Sequence, residues 1–212
     1  VHIVNADFLN YPLPEERYKV VANIPFNLTA DIIRKLFIGR ENTPESAYLI
    51  MQEEAAGKFT GDPKATLIST LLSSDFEVAS LTRIDRKAFV PTPRVDAAFV
   101  AFLRRYTPLV DEREMREFQD FVAYGYVHTQ RNKPILDSFD DIFTNKQRVI
   151  IERELDLSRV GIGDLDISYW INLFETFKKY VPQDRKAVVR GAIDKLAREQ
   201  ARLPKEHRTR RF

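Results

Sequence analysis

Tyr18-Lys19-Val20-Val21-Ala22-Asn23-Ile24-Pro25-Phe26 is the stretch on which the fold turns. Its first five residues form a short, apolar, β-branched run of the kind that suits a buried parallel strand. The run stops at Asn23-Ile24-Pro25, because proline donates no backbone hydrogen bond and steers the residue before it away from helix. Downstream, Ile32, Ile33, Leu36 and Phe37 fall on one face at helical spacing, with Gly39 as the stop. Ala47 to Met51 reads as a second buried strand, Glu53 to Phe59 as a short helix, Gly61-Asp62-Pro63 as a turn, and Ala65 to Ser73 as another helix. Phe76 to Ile84 and Asp96 to Arg104 read as two further strands, joined through Phe89-Val90-Pro91-Thr92-Pro93-Arg94. Upstream, Val1-His2-Ile3-Val4 is itself strand-like, and turn residues follow at Asn10-Tyr11-Pro12 and Pro14. Strand, helix, strand, helix and two neighbouring strands predict an α/β fold with an antiparallel pair at one edge.

Beyond Tyr106-Thr107-Pro108 the period changes. Met115, Phe118 and Val122 recur at helical spacing, as do Ile135, Leu136, Phe139 and Phe143, and then Trp170, Leu173, Phe174 and Phe177. Ser168 is the expected N-cap of that last helix. The organisation read from this is an α/β domain over 1–107, a small all-α domain over 108–182, and a basic tail over 183–212. The whole chain carries a net charge of +2, but residues 183–212 hold 10 Lys/Arg against 4 Asp/Glu, leaving −4 on the rest. Such a tail is either an electrostatic footprint for nucleic acid or a solvated end.

Composition removes several classes of chemistry. The chain has no cysteine, so disulfides, cysteine zinc sites and thiol nucleophiles are excluded. His2, His128 and His207 are too scattered to suggest a histidine metal centre, and no metal is expected. No apolar run approaches the roughly 20 residues a bilayer demands. A cytoplasmic setting without membrane attachment is the expectation.

Chemistry concentrates at Asn23-Ile24-Pro25-Phe26. In open α/β sheets, ligands sit beyond the carboxyl ends of the strands. The exocyclic amine of adenine is a poor nucleophile because its lone pair is delocalised into the ring. An Asn oxygen and a neighbouring backbone carbonyl can accept its two N–H bonds and favour a more tetrahedral nitrogen. Pro25 helps aim the carbonyl of Ile24, and Phe26 can stack on a base. Catalysis of this kind is positioning plus electrostatics, with no acid–base residue required. The same four residues also suit an ordinary strand-to-helix turn.

Other segments narrow that choice. Asn5-Ala6-Asp7-Phe8-Leu9, Ala22-Asn23-Ile24-Pro25-Phe26-Asn27, Met51-Gln52-Glu53-Glu54-Ala55-Ala56, Ala88-Phe89-Val90-Pro91-Thr92-Pro93-Arg94-Val95-Asp96 and Asp164-Leu165-Asp166-Ile167-Ser168 occur in that order. Together they resemble the rRNA adenine N6-methyltransferase family, particularly its macrolide-resistance branch, nearly from end to end. The resemblance implies a Rossmann-like domain that takes its methyl group from S-adenosylmethionine, followed by a helical RNA-binding domain. The implied reaction is N6 methylation of one adenine in 23S rRNA, which blocks macrolide-type antibiotics, with no obligate protein partner. Small-subunit rRNA dimethylation is the nearest alternative, and a non-catalytic RNA-binding protein that keeps the fold is another.

The same resemblance assigns roles. Asp7 would accept a hydrogen bond from the cofactor's adenine amine, with Phe8 beside that ring and Asn23 against both cofactor and target. Asn23, Ile24, Pro25 and Phe26 would form the catalytic motif. Phe26 and Phe89 would sandwich a flipped target base. In His128-Thr129-Gln130-Arg131-Asn132-Lys133, Arg131 and Lys133 would meet phosphates; the segment suits a polar helix junction equally well. The family's glycine-rich cofactor loop and its ribose-binding carboxylate precede the acidic motif, and only six residues precede Asp7. The sequence is therefore expected to start partway through the catalytic domain, to bind the cofactor weakly alone, and to expose the strand around His2-Ile3-Val4 as a sheet edge.

Overall fold

The computed structural model describes residues 1–38, 42–130, 133–157 and 160–202. Two compact units emerge. One comprises Val1–Thr60 with Phe76–Tyr106, the other Gly61–Asp75 with the chain from Thr107 onward.

The first unit is a four-stranded sheet. Its strands are β1 (Lys19–Asn23), β2 (Ser46–Gln52), β3 (Phe76–Ile84) and β4 (Ala97–Arg104), in the order β1-β2-β4-β3. β1 and β2 are parallel, and β4 runs antiparallel to both β2 and β3. Two helices belong to the unit, α1 (Thr29–Phe37) and α2 (Glu53–Thr60). The register sorts the two faces of the sheet. Ala47, Leu49 and Met51 of β2 lie on the face of Val100 and Phe102 of β4, and all five are fully buried. α1 covers this face: Ile33 and Leu36 are fully buried, and Phe37 stacks on Phe102 at 4.7 Å and meets Phe76 edge-on at 5.0 Å. The opposite face is drier in the middle than at the rim. Tyr48 lies beside Phe99 there, and Val21 of the edge strand is 79% exposed. β3 carries an irregularity between Ser80 and Thr82, with Leu81 exposed, so the strand bends where it pairs with β4.

Val1 to Asn5 form no strand, and Val1, Ile3 and Val4 are exposed. A strand-like composition is not enough; a strand needs a neighbour to take its backbone hydrogen bonds. Gly39, the expected stop of α1, lies outside the described residues, and Ile38 ends the helix in extended conformation.

The second unit holds α3 (Leu67–Asp75), α4 (Met115–His128), α5 (Asn145–Leu155), α6 (Ile167–Tyr180), α7 (Gln183–Lys186) and α8 (Ala192–Arg202). Residues 61–75, read from sequence with the α/β part, pack here: Leu67 joins the core, and the Thr70 hydroxyl lies 3.0 Å from the Tyr126 hydroxyl of α4. Burial pushes that phenol up to about 12. The core is aromatic. Phe121 stacks on Phe139 at 4.7 Å, Tyr126 stacks on Trp170 at 5.6 Å, and Phe118, Phe174 and Phe177 complete it. Asp166, rather than Ser168, caps α6, its carboxylate accepting from the backbone N–H of Ser168 and Tyr169. A carboxylate two residues earlier reaches the free amides that a serine inside the first turn cannot.

The segment read as a basic tail is folded as far as Arg202. Val189 and Leu196 are buried, and the Asp120 carboxylate, itself buried on α4, accepts from the backbone N–H of Gly191 at 2.9 Å and of Ile193 at 3.1 Å. One acidic side chain thus satisfies two amide donors at the start of α8.

Gly125 lies inside α4, where alanine ordinarily stabilises a helix by about 1 kcal/mol. Here an added Cβ would sit 2.8 Å from ring atoms of both Phe139 and Trp170, two fully buried side chains with no room to retreat. Gly125→Ala is expected to destabilise this unit by about 1–3 kcal/mol, the usual overpacking cost, read as a lower urea midpoint. A neutral or stabilising effect would contradict the tight packing at this crossing.

Candidate active site

The register brings the turn after Asn23 and the loop that carries Phe89 to one edge of the sheet. Asn23 aligns with Ile50, Ile50 with Phe99, and Ala97 with both Gln52 and Ile84. The carboxyl ends of β1, β2 and β3 and the amino end of β4 therefore share that edge. Strands pair at about 4.8 Å, so the row Asn23, Ile50, Phe99 spans about 10 Å. The turn after β1 and the long loop between β3 and β4 both leave from here.

The turn after β1 is built locally. Ile24 is buried and its N–H donates to the carbonyl of Ile50 at 3.1 Å, extending the β1–β2 ladder by one residue. Pro25 is extended, with φ −61° and ψ 125°. A one-turn 3-10 helix over Phe26–Leu28 follows, closed by Leu28 N–H to the Pro25 carbonyl and by the Thr29 hydroxyl to the Phe26 carbonyl. Asn23 and Pro25 are exposed and Phe26 is half-buried. Buried Ile24 thus anchors a turn whose polar and aromatic members remain accessible.

The loop over residues 85–96 is braced at its base. The Asp96 carboxylate accepts from the Arg86 N–H at 2.9 Å and from the Arg83 guanidinium at 2.5 Å, and Arg83 also pairs with Glu53 at 3.3 Å. The Arg86 guanidinium reaches the carbonyl of Arg94 at 3.1 Å, tying the two limbs together. The backbone bond from Arg86 and the Arg83 side chain hold the Asp96 carboxyl below the usual carboxylate range, and the Arg83 guanidinium is raised in turn. Phe89 is half-buried; its N–H donates to Arg86 and its carbonyl accepts from the Thr92 hydroxyl.

The acidic turn lies on a third segment. Asp7 is exposed, and its carboxylate accepts from the Leu9 N–H at 2.9 Å and the Asn10 side chain at 2.8 Å. What holds this turn in place is Lys35 of α1, which the sequence reading did not single out. Its ammonium donates to the carbonyls of Phe8 at 2.6 Å, Leu9 at 2.9 Å and Tyr11, and lies 5.1 Å from the centre of the Phe8 ring. Three donors meet three acceptors, which lets a lysine be buried on an apolar helix. The only sequence signal was its place among Ile32, Ile33 and Leu36, on the apolar face.

Of the proposed RNA-contacting residues, Lys133 belongs to the other unit. Lys133 is exposed after the end of α4, and Arg131 lies outside the described residues. His128 ends α4, with its ring nitrogen 2.9 Å from the Tyr124 carbonyl. Among the described residues, no group of His, Cys, Asp or Glu is arranged to hold a metal ion, and no helix is long and apolar enough to cross a membrane.

Two predictions follow from these braces. Lys35→Met should free the Asp7–Tyr11 turn and lower stability by about 1.5–3 kcal/mol, the usual net contribution of hydrogen bonds to a charged group. Faster amide exchange at Leu9 and Tyr11 is the local readout; unchanged exchange would deny Lys35 its clamping role. Because the folded Asp96 carboxyl is depressed, its brace is intact at neutral pH and is lost as pH falls through that lowered value. Amides of residues 86–95 should gain mobility on acidification, and Asp96→Asn should abolish the pH dependence. A loop that stays equally rigid once the Asp96 carboxyl has been protonated would count against the brace.

Known proteins of similar sequence and fold identify the family. Residues 1–179 match the family model described as ribosomal RNA adenine dimethylase. An rRNA adenine N-6-methyltransferase of Aeromicrobium erythreum is 36% identical over 129 residues, covering 60% of this chain and 37% of that protein. The ribosomal RNA small subunit methyltransferase A of a Synechococcus strain is 29% identical over 198 residues, covering 90% of this chain and 69% of that one. The chain thus spans well under half the length of the first of these relatives. Among solved structures, the 23S rRNA methyltransferase ErmE superposes with a TM-score of 0.74 at 25% identity, covering 83% of this chain and 71% of that one. The fold class is accordingly Rossmann-like α/β.

Proposed function

The chain belongs to the ribosomal RNA adenine dimethylase family, and on that footing we propose that it carries the residues that hold and activate an adenine amine for N6 methylation. The observation that carries this reading is the placement of Asn23-Ile24-Pro25-Phe26 and of the Phe89 loop on one edge of the sheet.

The side-chain oxygen of Asn23 and the carbonyl of Ile24 accept the two hydrogens of the amine. This draws the nitrogen toward a tetrahedral geometry and leaves its lone pair free to attack. Ile24, buried and tied to Ile50, keeps both acceptors from drifting. Phe26 and Phe89 stack on the two faces of a base taken out of its helix; both are half-buried, and so have surface to offer. Asp7, Phe8 and Asn23 would hold S-adenosylmethionine, which supplies an electrophilic methyl group when bound. The exposed Asp7 carboxylate, on a turn clamped by Lys35, suits recognition of an adenine amine, and the accessible edge of Phe8 suits the ring beside it.

The substrate proposed is 23S rRNA, with macrolide-type resistance as the consequence; the likeness to ErmE supports it. Small-subunit rRNA is the second reading, supported by the long match to the Synechococcus protein. Lys133 and Arg131 are proposed to meet phosphates, and the cations of α8 to add affinity with little sequence preference. Cytoplasmic action on naked rRNA goes with this reading.

The test is transfer of labelled methyl to naked large- and small-subunit rRNA by the full product of the reading frame. Label on one adenine of large-subunit rRNA is expected. Asn23→Ala should lower turnover about 10²–10³-fold, by analogy with loss of a positioned oxyanion donor, with little change in the unfolding midpoint. Phe26→Ala and Phe89→Ala should each weaken base binding by about 1–3 kcal/mol. Turnover that survives Asn23→Ala would remove Asn23 from the chemistry, and label on small-subunit rRNA alone would move the protein to the second reading.

A further inference from the structure

Val90 sits on the long loop of the sheet edge and is 98% exposed. Single exposed apolar residues are common, but three observations set this one apart. The loop that carries it is held at several points: Arg86 to the Arg94 carbonyl, Asp96 to the Arg86 N–H, and Thr92 to the Phe89 carbonyl. Its neighbour in sequence is Phe89, half-buried, while Val90 itself is turned out. Finally, Arg86, Lys87 and Arg94 are exposed on the same loop, so the apolar tip stands among cations.

From this we infer that Val90 is a wedge that enters the RNA base stack beside the target adenine. The inference rests on the base-flipping reading above and adds a residue to it. Extruding a base costs the stacking on both its faces, a few kcal/mol. A rigid apolar side chain in the space left behind recovers part of that contact, as apolar wedges do at kinked base steps. The branched Val90 suits the role because few rotamers are lost on insertion. Lys87 and Arg94, exposed on the same loop, are the cations that would meet flanking phosphates and hold the strand against the tip. A wedge helps only where the adenine begins stacked. It is therefore a selectivity device: it matters for structured RNA and not for a flexible strand.

The experiment uses the adenine located by the methylation assay. Two RNAs are made with 2-aminopurine at that position, one folded as in the rRNA and one a short single strand. Wild-type protein should brighten the folded probe as the base unstacks. Val90→Ala should lower that extrusion equilibrium about tenfold, the order expected for part of a stacking contact, and Val90→Leu should restore most of it. Neither variant should change affinity for the single strand. If Val90→Ala behaves as wild type on the folded probe, or weakens both probes equally, the wedge is overturned while the adenine reading stands. If anionic lipid vesicles bind the wild type and lose Val90→Ala while both RNAs are unaffected, the tip is a membrane contact and the wedge is again overturned. If wild type brightens neither probe and methylates no rRNA, the adenine reading falls and the wedge with it.

Discussion

The direction of β4 is the constraint on which the site depends. β4 runs against both β2 and β3 and lies between them. Its amino end therefore meets the carboxyl ends of its neighbours, and the chain that links β3 to β4 must turn over at the edge where β1 also ends. Had β4 run parallel, its link to β3 would have crossed the sheet, and Phe89 would have had no reason to share an edge with Asn23. The pairing is long and well filled, with Leu49, Met51, Val100 and Phe102 buried along one face, so the register is strongly specified.

What the sheet places, local polar contacts hold. Asp96 and Arg86 fix the base of the long loop, Lys35 fixes the acidic turn, and Ile24 fixes the turn after Asn23 to β2. In each brace, backbone groups and scaffold side chains do the holding, while Asn23 and Phe26 keep accessible surface. Such division of labour suits chemistry that depends on positioning, because the supporting contacts then hold the geometry.

The helical unit is stabilised differently, by dense aromatic packing around Phe121, Phe139 and Trp170. Its last helix is docked by Leu196 and by a single buried carboxylate, Asp120. Charge composition alone made residues 183–212 look like a tail. The apolar positions Val189, Ile193 and Leu196 carried the contrary signal, diluted by the many cations around them. Similarly, residues 61–75 lie in the α/β part by sequence order, yet Leu67 packs in the helical core, a partnership that no local pattern encodes.

Local physics was legible in the sequence. Period and branching marked the strands from Lys19 and Ser46, Phe76 and Ala97, proline ended β1 after Asn23, and helical spacing marked the faces of α1, α4 and α6. The order of short motifs likewise pointed to the family. Where a segment's state depended on a distant partner, sequence was silent or misleading. Val1-His2-Ile3-Val4 had the composition of a strand without a neighbour to pair with, Ser168 was overruled as a cap by Asp166, and Lys35 acquired its role from three carbonyls 24 to 27 residues away. Hydrogen bonds and buried contacts belong to pairs of groups, and only the tertiary structure decides which pairs meet.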